Sequence, residues 1–274
     1  MIHRSLLTTV NTLLRRKRGG ECLLCTHRLK NDWTVTPTIT DSVYTISLLN
    51  PNINYEEHTA NASKLFRQNS RHVSPKELNY ELPSNNLPEF AFVGRSNVGK
   101  SSLINQLLGN NKIVRTSKTP GCTKNVNFYA FVTQKGAKST YLVDLPGYGY
   151  AKSSKDDRED WVVMIKKYLV ARDLSVLRRA YILVDARRGA SESDGEMMEF
   201  MTKAAIPHQV IITKADLVNE VELRSALIST FSHIMKKNRH SCLPIVHVTS
   251  AKTNHGLLPL MQSMAEINSQ SWTH

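Results

Sequence analysis

Glu89-Phe90-Ala91-Phe92-Val93-Gly94-Arg95-Ser96-Asn97-Val98-Gly99-Lys100-Ser101 decides the fold. Its first five residues form a short apolar run between Pro88 and Gly94, the pattern of a buried strand. Gly94 to Ser101 fits GxxxxGK[ST], and Leu103, Ile104, Leu107 and Leu108 follow at helical spacing until Gly109-Asn110. Strand, glycine-rich loop and helix in that order make a phosphate-binding loop. The glycines let the backbone curl until its N–H groups point at phosphate oxygens, and the helix N-terminus adds a favourable dipole. Lys100 is placed to reach the β- and γ-phosphates, and Ser101 to put its hydroxyl on Mg²⁺. Gly94, Arg95, Ser96, Asn97, Val98, Gly99 and Ser102 complete the cradle. Replacing Lys100 by Ala is expected to cost nucleotide binding without unfolding the domain.

Downstream, apolar runs alternate with helical patterns. Val126–Val132 and Thr140–Val143 read as strands able to pair as a hairpin, and Ala180–Val184, Gln209–Ile212 and Ile245–Val248 as further strands. Trp161, Ile165, Tyr168 and Leu169 share one helical face. Met197, Met198 and Met201, Val221 to Ile234, and Leu257 to Ile267 mark three more helices. The alternation predicts an α/β domain over 88–270, with a mostly parallel sheet covered by helices on both faces.

Three more motifs sit at predicted strand ends. Asp144-Leu145-Pro146-Gly147 offers a carboxylate able to hold Mg²⁺ through water, and Gly147 a backbone N–H for a γ-phosphate. Thr213-Lys214-Ala215-Asp216 offers a carboxylate that can accept from guanine N1–H and the 2-amino group, a pair that adenine lacks. A site built on such pairing discriminates by roughly 10⁴–10⁵. The Lys214 stem can lie along the base, and in Ser250-Ala251-Lys252 the Ala251 N–H is placed for guanine O6. Taken singly, Asp144 also fits a surface turn and Asp216 a helix N-cap; the order of all four motifs selects the guanine-nucleotide reading. A fifth loop, Thr116 to Thr123, has the Gly, Pro and Thr content of a segment that orders around Mg²⁺ and the γ-phosphate. Thr123 is the preferred Mg²⁺ ligand there, with Thr119 as the alternative and Gly121 beside the nucleotide.

The stretches GRSNVGKSSLIN, TSKTPGCTKNVNFY, DLPGYGYAK, TKAD and TSAK stand in the order seen in translation-factor-type GTPases, and most closely resemble the EngB/YihA family. The resemblance covers about 88–268. It implies a Ras-like P-loop G domain with a six-stranded sheet, GTP hydrolysis carried by Lys100, Thr123 and Gly147, and a role in assembling a large ribosomal subunit. It also implies a K⁺ beside the β–γ bridge, held with the help of Asn97. Tyr148 stands where Ras-like proteins have the Gln that orients the attacking water, so intrinsic hydrolysis is expected to be slow. Thr213 replaces the usual Asn of NKxD, which predicts fewer bonds to the phosphate loop and modest affinity.

The chain has 274 residues and a net charge of +13, from 36 Lys and Arg against 23 Asp and Glu. Residues 88–274 carry 25 basic and 16 acidic residues, a surplus of nine. Lys166-Lys167, Arg178-Arg179, Arg187-Arg188 and Lys236 to His240 are the candidate patches for phosphates of folded rRNA. An anionic membrane surface is the alternative partner. No apolar run reaches the roughly 20 residues that span a bilayer, and four cysteines do not make a disulfide scaffold. A nucleotide kinase is disfavoured by the base-reading motifs. Residues 1–30 are amphipathic, rich in Arg and poor in acid, with Leu6, Leu7, Val10, Leu13 and Leu14 in one sector, which is the composition of a mitochondrial transit peptide. Residues 31–87 read as a polar, partly disordered linker with one short helix near 60–69. The expectation is a monomer in the mitochondrial matrix, with the inner membrane surface as the alternative, working with the mitochondrial large ribosomal subunit.

Overall fold

The computed structural model describes residues 34–40, 43–47, 62–78, 81–109, 113–114, 126–148, 155–235 and 241–269. The transit-peptide reading, Thr119, Gly121, Thr123 and the basic run 236–240 lie outside the described residues. Strands β1 (Thr34–Thr40), β2 (Val43–Ser47), β3 (Asn69–Val73), β4 (Glu89–Arg95), β5 (Asn127–Val132), β6 (Lys138–Tyr148), β7 (Leu177–Asp185), β8 (His208–Thr213) and β9 (Cys242–Val248) form one sheet. Its order is β2-β1-β9-β8-β7-β4-β6-β5-β3. The helices are α1 (Lys100–Leu107), α2 (Lys155–Ala171), α3 (Glu192–Lys203), α4 (Glu220–Ile234) and α5 (Leu257–Ser269).

The central six strands, β9-β8-β7-β4-β6-β5, are the expected sheet: β4 pairs parallel with β6 and β7, β7 with β8 and β8 with β9, while β5 joins β6 as the expected antiparallel hairpin. Alternation along β4 divides the core. Ala91 and Val93 face the side covered by Ile165, Tyr168 and Leu169 of α2, the three methionines of α3, and Leu227 and Phe231 of α4. Phe90 and Phe92 face the side covered by Leu103, Ile104 and Leu107 of α1 and Leu260 and Met264 of α5. A sheet buried on both faces needs continuous apolar strands, which is why β4, β7 and β8 read so clearly.

The sheet is wider than the six strands expected, and 31–87 is not simply a linker. β1 and β2 extend one edge antiparallel from β9, and β3 extends the other from β5. A helical segment at 62–66 precedes β3, where Ala62, Leu65 and Phe66 are buried; Phe66 meets Phe131 edge-to-face with centroids 5.3 Å apart. The Ser70 hydroxyl donates to the Leu108 carbonyl at 2.8 Å, tying β3 to the end of α1. Along β3 (Asn-Ser-Arg-His-Val) only Val73 is buried, so this edge strand has no alternating pattern to read.

Candidate functional site

The C-terminal ends of β4, β6, β8 and β9 bring all four described motifs to one rim of the sheet. In the phosphate loop, Asn97 and Gly99 have left-handed backbone, with φ of 63° and 104°. A Cβ on Gly94 would lie 2.9 Å from the Leu183 carbonyl oxygen, so only glycine lets the loop leave the sheet here. Lys100 opens α1, and its ammonium is paired with the Asp144 carboxylate; both side chains are buried, at 7% and 1% exposure. Ser101 is the next residue of α1. A hydroxyl and a carboxylate are hard oxygen donors, and Mg²⁺ in nucleotide sites uses one or two protein oxygens with phosphate and water filling the rest, so this donor set fits the ion. Among the described residues no cluster of three His, Cys, Asp or Glu could hold a metal by itself. Mg²⁺ in such a site supplies charge neutralisation on the β- and γ-phosphate oxygens.

The strand carrying Asp144 does not end there. β6 runs on through Gly147 and Tyr148, which pair with Gly94 and Arg95 after a register shift in β4. The Ser96 N–H donates to the Tyr148 carbonyl at 3.1 Å. A Cβ on Gly147 would meet the Ser96 backbone at 3.1 Å, so the glycine also permits this close approach. Tyr148 turns its side chain away from the phosphate loop and into the core, where its hydroxyl donates to Asp194 Oδ1 at 2.7 Å. Burial first, then the Asp194 charge, holds its phenol well above the usual tyrosine range. It therefore does not orient an attacking water, as its place in the sequence led one to expect. Sequence reasoning missed Asp194. The spacing Ser191-x-x-Asp194 marks a helix cap, but nothing in it points to a tyrosine 46 residues upstream.

The base-reading corner is tied to the phosphate loop by side chains. The Thr213 hydroxyl donates to the Val98 carbonyl at 2.6 Å and also lies 3.2 Å from the Val184 carbonyl. The threonine thus makes one bond to the phosphate loop. Lys214, itself left-handed with φ 59°, donates from Nζ to the Asn97 carbonyl at 2.5 Å and pairs with Asp185 at 3.1 Å. Burial pushes the Asp185 carboxyl up, but hydrogen bonds from Arg187 and Lys214 outweigh it and bring it down to about 2. Asp216 lies in a short 3₁₀ turn (Ala215–Leu217), and its Oδ1 accepts from the Ser250 hydroxyl at 2.6 Å. Gly99, Ser102, Lys214, Asp216, Ala251 and Lys252 line a cavity of about 210 Å³ between these motifs. Residues at the start of α1 line one part of it, and Asp216 and Ala251, the expected base-reading residues, line it as well.

The predicted basic patches are unequal. Arg187 and Arg188 are exposed, though Arg187 is engaged by Asp185, and Lys167 is exposed on α2 beside Lys166, whose ammonium lies 5.0 Å from the Phe200 ring. Arg178 and Arg179 are half-buried, and burial lowers the pKa of both, so this pair is not a surface patch.

The sequence model of a family described as a 50S ribosome-binding GTPase matches residues 89–214. A "Probable GTP-binding protein EngB" of Bradyrhizobium diazoefficiens is 39% identical over 204 residues, covering 74% of this chain and 91% of that one. The chain belongs to the EngB family of GTP-binding proteins. The EngB protein of Hyphomonas neptunium is 42% identical over 187 residues, 68% of this chain and 82% of its own. Among solved structures, a probable EngB covers 66% of this chain and 98% of its own, with a TM-score of 0.50 and 24% identity. Era in complex with MgGDPNP and a segment of 16S ribosomal RNA covers 69% of this chain and 59% of its own, with a TM-score of 0.53 and 22% identity. At these identities the two structures show the Ras-like P-loop GTPase fold. The protein is a GTP-hydrolysing enzyme of EngB type.

Proposed function

We propose that this EngB-type GTPase is a switch that assists assembly of the mitochondrial large ribosomal subunit and contacts its rRNA. The observation that carries the reading is a family described as 50S ribosome-binding, matched over 89–214, on a core with nine surplus positive charges. Such a surplus favours a polyanionic partner. Exposed Lys167 and Arg188 are the candidates for phosphate contacts on the described surface. That Era was solved with ribosomal RNA supports the same partner class for a protein of this fold. The mitochondrial address rests on the Arg-rich, acid-poor segment 1–30. In the same reading Asn97 helps to hold K⁺ beside the β–γ bridge, and Thr123 closes on Mg²⁺.

Depletion is expected to leave immature large subunits in sucrose gradients of mitochondrial lysate, and crosslinked rRNA should depend on the bound nucleotide. Unchanged subunit profiles overturn the reading. Flotation with anionic vesicles and no ribosomal association would instead favour the membrane surface. Hydrolysis at equal rates in K⁺ and Na⁺ buffers removes the monovalent ion.

A further inference from the structure

We propose that Asp194 is a positioning residue for the γ-phosphate: through the Tyr148 hydroxyl it anchors the end of β6, and with it the Gly147 amide. The argument starts from two buried groups with every polar atom spoken for. Tyr148 is 3% exposed and Asp194 is 2% exposed. Asp194 Oδ1 accepts from the Tyr148 hydroxyl at 2.7 Å, while Oδ2 accepts from the Ser191 N–H at 2.7 Å and the Ser191 hydroxyl at 2.6 Å. The carboxylate lies in the first turn of α3, where the helix dipole favours a negative charge. It is therefore a fixed point, held by a helix packed on the sheet.

The other end of the tyrosine is fixed to the phosphate loop. The Tyr148 carbonyl accepts from the Ser96 N–H, and Gly147 lies close against Ser96, where a side chain would crowd it. Gly147 is thus one bond away from a residue clamped both by the loop and by α3. Any movement of the Gly147 N–H toward a γ-phosphate draws on the end of β6, which pairs with Gly94 and Arg95. The Tyr148–Asp194 bond sets the pivot of that movement. A ligand shifts a conformation only by the contacts that differ between states, and the γ-phosphate is the group that GTP has and GDP lacks. The pivot therefore acts on GTP and on hydrolysis, and leaves GDP binding alone. This rests on the family's GTPase activity and is independent of the ribosomal reading.

The test uses the full chain with Tyr148→Phe, Asp194→Ala, the double variant, and Ser191→Ala, which weakens the α3 cap but leaves the Tyr148–Asp194 bond in place. Tyr148→Phe is expected to slow single-turnover GTP hydrolysis about tenfold, the scale of a displaced positioning contact. It should weaken a non-hydrolysable GTP analogue and leave GDP affinity within about twofold. Asp194→Ala should add nothing to Tyr148→Phe in the ratio of GTP to GDP affinity, because one bond is being removed twice. Ser191→Ala should lower Tm with the ratio unchanged. A wild-type rate and ratio in Tyr148→Phe overturn the proposal. So does a loss shared equally by GDP and GTP, or a ratio change in Ser191→Ala matching that of Tyr148→Phe. Tyr148→Phe removes one oxygen and keeps the ring, so it decides the matter even if Asp194→Ala does not fold.

Discussion

The two corners of the nucleotide site are wired in different ways. At the base corner, side chains bond to backbone carbonyls or to one another: Thr213 to Val98, Lys214 to Asn97, and Ser250 to Asp216. These ties stand beside a cavity of about 210 Å³ that Lys214, Asp216 and Ala251 line. At the phosphate corner, Lys100 and Asp144 hold each other. In the roles proposed for them, the lysine would pass to phosphate oxygens and the aspartate to the shell of Mg²⁺. On that proposal, phosphate binding exchanges partners between charges already removed from water, while the base meets groups already tied in place.

The comparison breaks most easily at Lys100. Its replacement by Ala leaves Asp144 buried without its partner, a change that costs about 3–5 kcal/mol in buried pairs. Lys100→Ala is therefore expected to lose nucleotide binding by calorimetry and to lower Tm in the nucleotide-free protein. The domain is still expected to fold. An unchanged Tm would mean that the pair does not form before nucleotide arrives.

Asp216→Asn comes next. Asn keeps an acceptor for one of the two base donors but turns an N–H₂ toward the other, so one hydrogen bond is lost and a donor faces a donor, which at about 1.4 kcal/mol per tenfold predicts roughly a 100-fold loss of GTP affinity. Xanthine nucleotides should gain in its place, because their 2-oxo group accepts where guanine donates. Asp216 is exposed, so Tm should hold, in contrast to Lys100→Ala. Retained guanine selectivity would take Asp216 out of the site.

How much of this was legible in the sequence depended on burial. The central strands are buried on both faces, so Glu89–Val93 and Gln209–Ile212 announced themselves as apolar runs. The four motifs were legible because phosphate and guanine recognition need particular residues at strand ends. What escaped was local geometry between distant residues. β3 is an edge strand with one buried residue, and the end of β6 is a motif that keeps pairing as strand. That Thr213 reaches Val98 was not legible, because it depends on how close the loop passes, and residue type does not give that distance. Asp194 was invisible because its partner is fixed by packing of α3 and not by spacing.

Thr213→Val keeps the shape and removes the hydroxyl. Val98 then loses its donor in a buried place, with an expected cost of about 1–3 kcal/mol in stability. GDP affinity should fall along with Tm, since the same bond serves both. A Tm loss without any affinity loss would show that the tie holds the domain but does not shape the loop, and the base corner would be less preorganised than its hydrogen bonds suggest.

Ser250→Ala is expected to have the smallest effect and is the finest probe of the contrast. The hydroxyl is buried; it donates to Asp216 at 2.6 Å and accepts from the Thr253 N–H at 3.2 Å. Its loss frees one oxygen of a carboxylate that water already reaches, so no buried charge is stranded. The remaining role is aim: one oxygen held by Ser250 leaves the carboxylate facing the base edge in one orientation. Losing that aim costs side-chain order on the scale of about 0.5–1.5 kcal/mol, or a three- to tenfold weaker Kd for GDP. GDP and GTP should weaken equally, because both carry the same base. A loss larger for GTP than for GDP would connect the base corner to the γ-phosphate, and the two corners would then no longer work separately.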